Sequence, residues 1–174
     1  MRLGIDVGKA RIGVARSDMH GMLATPVETV QRDASGDADL RRIAEIATEL
    51  AAFEAVVGLP LNLRGERTPS TEDAASFAQR LAAHLAAATP GSAGQAGDTA
   101  GVTVRLVDER LSTVSAQGQL RQAGKKTKQS RSIIDQAAAV VILQHALDIE
   151  RSRDQAPGDE VIVAEAAHET REQA

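Results

Sequence analysis

The stretch that most limits how this chain can fold lies towards its C-terminal end. Residues 130–149 carry a helical spacing and are almost wholly apolar from Ile133 to Leu143. A helix that is apolar nearly all round must be buried, and the rest of the chain offers a sheet to bury it against. Residues 3–7 and 11–16 read as two short strands joined by a Gly8-Lys9-Ala10 turn, a hairpin. Residues 23–30 follow the turn Asp18-Met19-His20-Gly21 as a third strand. Leu40, Ile43, Ile46, Ala47 and Leu50 then recur at helical spacing over 39–52. Residues 55–59 form a compact apolar run ended by Gly58 and Pro60, the pattern of a buried strand.

Residues 70–88 repeat the helical signature, with Ala74, Phe77, Ala78, Leu81, Ala82 and Leu85 on one face. Residues 89–101 are low in complexity and predict a flexible surface loop. Residues 102–107 read as a further strand and 112–123 as a helix ahead of the long one. Three strands in succession, then helices alternating with strands, predict an α/β domain: a five-stranded mixed sheet flanked by helices, as in a ribonuclease H-like fold. The order alone fits other α/β folds too. We expect one domain over 1–153, and an acidic tail over 154–174 that is expected to be disordered.

The net charge of −4 argues at first against a nucleic-acid partner, but its distribution argues for one. Residues 154–174 hold six acids and one arginine, which leaves residues 1–153 at +1. No acid lies between Glu109 and Asp135, an interval that contains Arg110, Arg121, Lys125, Lys126, Lys128 and Arg131. Such a block attracts polyanions through its local field whatever the total charge, although a solvated loop with charged helix ends would look the same. With no cysteine, disulfides and thiolate metal sites are excluded, which suits a reducing cytoplasm. No run reaches the roughly 18–20 apolar residues that span a bilayer, and no signal peptide is expected at Met1.

Acids interrupt the apolar pattern at Asp6 in the first strand, at Asp108 and Glu109 after the fifth, and at Asp135 in the long helix. In α/β sheets the strand ends and adjoining loops form the crevice where ligands bind. Clustered carboxylates repel one another unless a cation sits among them, and hard oxygen donors favour Mg²⁺ or Mn²⁺. Each acid also has a purely structural explanation. Asp6 could simply end its strand before Gly8, and Asp108 and Glu109 could pair with Arg105 or Arg110. Ser132 and Asp135 are spaced like a capping box at the start of a helix. Strand alternation groups Asp108 with Val104 and Leu106, and Glu109 with Arg105 and Val107, without choosing between the two acids.

Other chemistries find little support. His20, His84, His145 and His168 show no i,i+4 ligand spacing, and no Walker-type loop or Ser/His/Asp order is visible. With neither Trp nor Tyr and only two Phe, stacking of bases on aromatic side chains cannot dominate binding, which leaves contacts to phosphate.

The strings GIDVGKARIGVARSD, LATPVETV, VVGLPLNLRGE, VRLVDERLSTVSA and IIDQAAAVVILQHALD, in that order, resemble the YqgF/RuvX family over about residues 3–150. These are ribonuclease H-fold proteins related to the RuvC Holliday junction resolvases. The resemblance implies a cytoplasmic nuclease dependent on one or two Mg²⁺ or Mn²⁺ ions, acting in pre-16S rRNA 5′-end processing or as a Holliday junction resolvase. Its acidic positions fall on Asp6, Asp135 and one of the DER acids, with Glu109 favoured over Asp108. Gly8-Lys9-Ala10-Arg11 stands where Gly-Thr-Lys-Arg is more usual, which puts a substrate contact of the missing threonine in doubt.

On this basis Asp6, Glu109 and Asp135 are the expected catalytic and metal-binding residues. Lys9, Arg11, Arg64, Arg110, Lys125, Lys126, Lys128 and Arg131 are the expected phosphate contacts. Such contacts carry no base sequence, so a structured nucleic acid, precursor rRNA or a four-way DNA junction, is the expected partner of a monomer or homodimer. Two rival readings are a nucleic-acid-binding scaffold without catalysis and an actin- or hexokinase-like ATP-binding domain. The second needs another similar lobe, for which the chain is too short.

Overall fold

A computed structural model describes residues 1–87, 101–111 and 128–163, apart from the side chains of 111 and 128–134. The hairpin forms as its alternation predicts, from β1 (Arg2–Val7) and β2 (Arg11–Ser17), closed by the bond from the Gly8 N–H to the Arg11 carbonyl at 2.9 Å. β3 (Ala24–Gln31) adds antiparallel to β2, with a register shift between Val14 and Ala15. After α1 (Ala38–Glu49) the chain enters the sheet again as β4 (Glu54–Leu59), now parallel to β1. α2 (Pro69–Ala87) leads on to β5 (Thr103–Asp108), parallel to β4 and followed by one 3₁₀ turn over Glu109–Leu111. The long helix, α3, runs from Lys128 to Arg153.

The sheet order is β3-β2-β1-β4-β5-β6, the five expected strands with a two-residue strand, β6 (Asp159–Glu160), at one edge. β6 pairs antiparallel with β5, and the Val161 N–H donates to the Val104 carbonyl at 2.8 Å. The described part of the acidic tail is therefore joined to the sheet, where its composition predicts disorder. Long-range pairing and the grip of Arg105 on the Pro157 carbonyl at 2.8 Å hold it there. The helix expected over 112–123, and most of the loop expected over 89–101, lie outside the described residues.

Two cores separate the faces of the sheet. Leu3, Ile5, Ile12, Val14, Val57 and Val104 pack with Leu40, Ile43, Phe77 and Leu81 of α1 and α2. On the other face Ala15, Val56 and Val107 meet Ala139, Ile142, Leu143, Ala146 and Leu147 of α3. The apolar stripe of α3 is thus buried as expected. The helix also comes unusually near the strands, because a Cβ on Gly13 would collide with the Asp135 carbonyl oxygen and one on Gly4 would stand 2.5 Å from the Leu143 Cβ.

Candidate active site

Strand alternation assigns each acid to a face. Arg2 reaches Glu150 of α3 at 2.8 Å, and Gly4 lies against Leu143, so the even-numbered side chains of β1 face α3 and Asp6 falls among them. On β5 the residues facing α3 are Arg105, Val107 and, just past the strand, Glu109. Arg105 approaches Glu54 to 4.0 Å, Val107 is buried in the α3-side core, and the Glu109 Oε1 lies against Gly58 beside the Ile142 methyl. Asp6 and Glu109 therefore sit on one face, at the C-terminal ends of parallel strands that flank β4. The parity that is ambiguous in the sequence is decided past the strand end, where Glu109 in the 3₁₀ turn still points to this face.

Asp108 has a different role. It accepts from the Arg110 N–H at 2.9 Å and from the Arg110 guanidinium at 2.7 Å, which caps the 3₁₀ turn. That guanidinium, together with the same residue's N–H, holds the Asp108 carboxyl below its ordinary pKa despite partial burial.

Asp135 is not a helix cap. α3 runs from Lys128, so Asp135 stands well inside the helix, and so does the capping-box spacing from Ser132. Gly13, the β2 partner of Asp6, receives the backbone of Asp135 against its bare Cα. The Asp135 carboxylate turns to Arg11, whose Nε donates to Oδ2 at 2.7 Å, with both side chains about three-quarters buried.

Of the expected phosphate contacts, Lys9, Arg11, Arg64 and Arg110 are described with their side chains. Lys9 is exposed in the hairpin turn next to Asp6. Arg64 is exposed in a loop after β4, where the Asn62 Oδ1 accepts from the Arg64 and Glu66 N–H groups at 2.9 Å. Gly65, at φ +83°, turns that loop, and the Arg110 guanidinium lies against it. Lys128 and Arg131 are in the first turns of α3, and their side chains are not among those described. Lys125 and Lys126 lie outside the described residues.

One positioning residue escaped the sequence reading. Arg32 follows β3 and donates to the Gly8 carbonyl at 3.1 Å, to both carboxylate oxygens of Asp73 on α2, and stacks over the Phe77 ring at 5.1 Å. Its backbone N–H also holds the Ala10 carbonyl at 3.0 Å. The turn that carries Lys9 is thereby fixed to the α1–α2 layer. No local pattern signals this, since every partner is distant in sequence.

The donor set Asp6, Glu109 and Asp135 has the chemistry of a hard divalent-cation site. The arrangement does not complete one: among the described residues no group of three or more His, Asp or Glu could hold a metal ion, and Asp135 is engaged with Arg11. The site as it stands combines two acids on one face, a third on the helix crossing it, and cations at its rim.

A mixed sheet in this order, with acids at the ends of β1 and β5 and on the helix that crosses them, defines a ribonuclease H-like domain. The sequence pattern of the RuvX family, described as Holliday junction resolvase, matches residues 1–149, and the chain belongs to that family. It is 57% identical over 157 residues to a Clavibacter sepedonicus protein named "Putative pre-16S rRNA nuclease", with 90% of this chain and 88% of that protein covered. Proteins of the same name from Leifsonia xyli and Mycobacteroides abscessus are 56% and 51% identical, over 92% and 91% of this chain and 94% and 86% of theirs. Among solved structures, Thermus thermophilus RuvC in complex with a Holliday junction substrate overlaps 90% of this chain and 98% of its own at 16% identity, with a TM-score of 0.49. Among the described residues no helix is long and apolar enough to cross a membrane.

Proposed function

We propose that this protein hydrolyses phosphodiester bonds in structured nucleic acid, at the edge of the sheet where β1 and β5 end. The observation that carries this reading is the common face of Asp6 and Glu109, beside a glycine at β4 that leaves room for the Glu109 carboxylate. Membership of the RuvX family supports it, and the hard carboxylate donors favour a divalent cation such as Mg²⁺ or Mn²⁺. The relatives' names point to precursor 16S rRNA and the family description to Holliday junctions, so both substrates belong in the test.

Asp6, Glu109 and Asp135 are the acids we assign to the reaction, and Asp108 we assign to supporting the turn that carries Glu109. Lys9, Arg64 and Arg110 would bind backbone phosphates, with Lys125, Lys126, Lys128 and Arg131 extending that track. Phosphate contacts orient a substrate and carry no base sequence, which fits recognition by shape. The engagement of Asp135 with Arg11 favours one second reading, a scaffold that binds nucleic acid without cutting it. A side-by-side assay on a four-way DNA junction and a precursor rRNA fragment, with Mg²⁺ or Mn²⁺ and an Asp6→Asn control, separates the two. Cleavage that requires Asp6 supports hydrolysis, whereas binding of either substrate with no cleavage supports the scaffold.

A further inference from the structure

Among the described residues the acids have the chemistry of a divalent-cation site but not its arrangement, and the Asp135 carboxylate is held by a cation of the chain itself. Arg11 opens β2 two residues before Gly13, on the face that meets α3, and its Nε holds Asp135 at 2.7 Å. A guanidinium only donates and never loses its charge, so while it holds Asp135 it opposes a second cation there by repulsion and by occupying a lone pair. The Arg11 side chain is also 25% exposed and belongs to the rim that carries the exposed Lys9. A phosphate arriving at that rim offers Arg11 a bidentate acceptor in place of the carboxylate.

We propose that Arg11 is a tethered cation that occupies Asp135 until a nucleic-acid phosphate draws it away, so that nucleic acid and divalent cation each strengthen the binding of the other. This rests on the hydrolytic reading given above and adds an order of assembly to it. Because binding free energies are reciprocal, the effect has two faces: nucleic acid tightens the cation, and the cation tightens nucleic acid by the same factor. The site then completes itself on its substrate, and free protein keeps Asp135 neutralised without a metal ion.

The test is calorimetric titration of Mn²⁺ into the full chain, free of nucleic acid, for wild type, Arg11→Gln and Arg11→Ala. Both variants should bind Mn²⁺ about tenfold more tightly, the order expected for removal of one adjacent, partly screened cation. In an Asp135→Asn background, Arg11→Gln should change nothing, which separates a contact with Asp135 from a general change of charge. A second measurement needs no Arg11 variant. The affinity of the wild-type protein for a fluorescent four-way junction, read by anisotropy at matched ionic strength, should rise about tenfold from EDTA to Ca²⁺. That rise should vanish in Asp135→Asn.

Mn²⁺ binding that is equal or weaker in folded Arg11 variants, or junction binding indifferent to Ca²⁺, overturns the exchange and leaves the hydrolytic reading standing. Absence of Mn²⁺ binding in every variant, with and without the junction, removes both.

Discussion

The carboxylate of Glu109 occupies the space that a side chain on Gly58 would fill. Gly58 lies on β4 between β1, which carries Asp6, and β5, which ends in Asp108, so the sequence VVGLP leaves a gap in the sheet face where the acid from DER is received. Gly58→Ala should displace the carboxylate and press on the Ile142 methyl, 2.6 Å from the new Cβ. We expect a stability loss of about 1–3 kcal/mol from overpacking, read by urea unfolding. Cleavage should fall about a hundredfold, because displacing the acid assigned to the reaction costs more in rate than in stability. Adding Glu109→Ala to Gly58→Ala should recover part of the stability and none of the cleavage.

Arg32 ties the hairpin turn to the helical layer, and removing it should reach both stability and binding. Its side chain is 9% exposed and faces Asp73 at 2.7 Å and the buried Asp39 at 3.5 Å. Arg32→Met would leave Asp39 buried without its cation, at about 3 kcal/mol in urea unfolding. Arg32→Lys should recover little, since an ammonium cannot hold two carboxylates and a carbonyl in one plane. Both variants should weaken nucleic-acid binding, because Lys9 then loses its fixed turn.

His145 makes stability depend on pH. Burial on α3 holds its imidazole below the usual histidine pKa, against the opposing pull of Asp148 and Asp108 and with Arg153 adding to the depression. Its Nε2 is buried with no hydrogen-bond partner among the described residues. The unfolded imidazole takes up a proton near pH 6.5, before the folded one does. This contribution is therefore fully present above about pH 6.5 and is lost as pH falls towards the lower folded value. Urea unfolding at about pH 5.5 and 7.5 should show the loss, and His145→Gln should flatten that part of the profile.

Much of this was legible in the sequence, and the remainder depended on contacts that no local pattern records. The hairpin, the buried strands and the buried α3 follow from periodicity, because a strand with one covered face and a helix with an apolar stripe carry their burial in their spacing. Asp6 stood out for the same reason, as an acid inside an apolar strand. Spacing alone does not separate Asp108 from Glu109; the contact of Glu109 with Gly58, just past the end of β5 at Asp108, does. Asp135 has the spacing of a cap from Ser132, yet both lie inside α3, which runs from Lys128. Arg32, β6 and the Arg11–Asp135 pair are products of distant pairing. Arg11 was expected to meet phosphate, and its position opposite Asp135 emerges only once Gly13 admits the helix.

Glu109 and Asp108 lie on opposite faces of β5, and only one of those faces can carry the reaction. Cleavage rates of Glu109→Gln and Asp108→Asn, measured on the four-way junction and the precursor rRNA fragment in Mg²⁺ or Mn²⁺, test it most directly. Loss of a group acting on the reacting phosphate should slow Glu109→Gln by about a hundredfold or more. Asp108→Asn should stay within about tenfold of wild type, since it only loosens the turn. A fast Glu109→Gln beside an inactive Asp108→Asn would contradict the assignment.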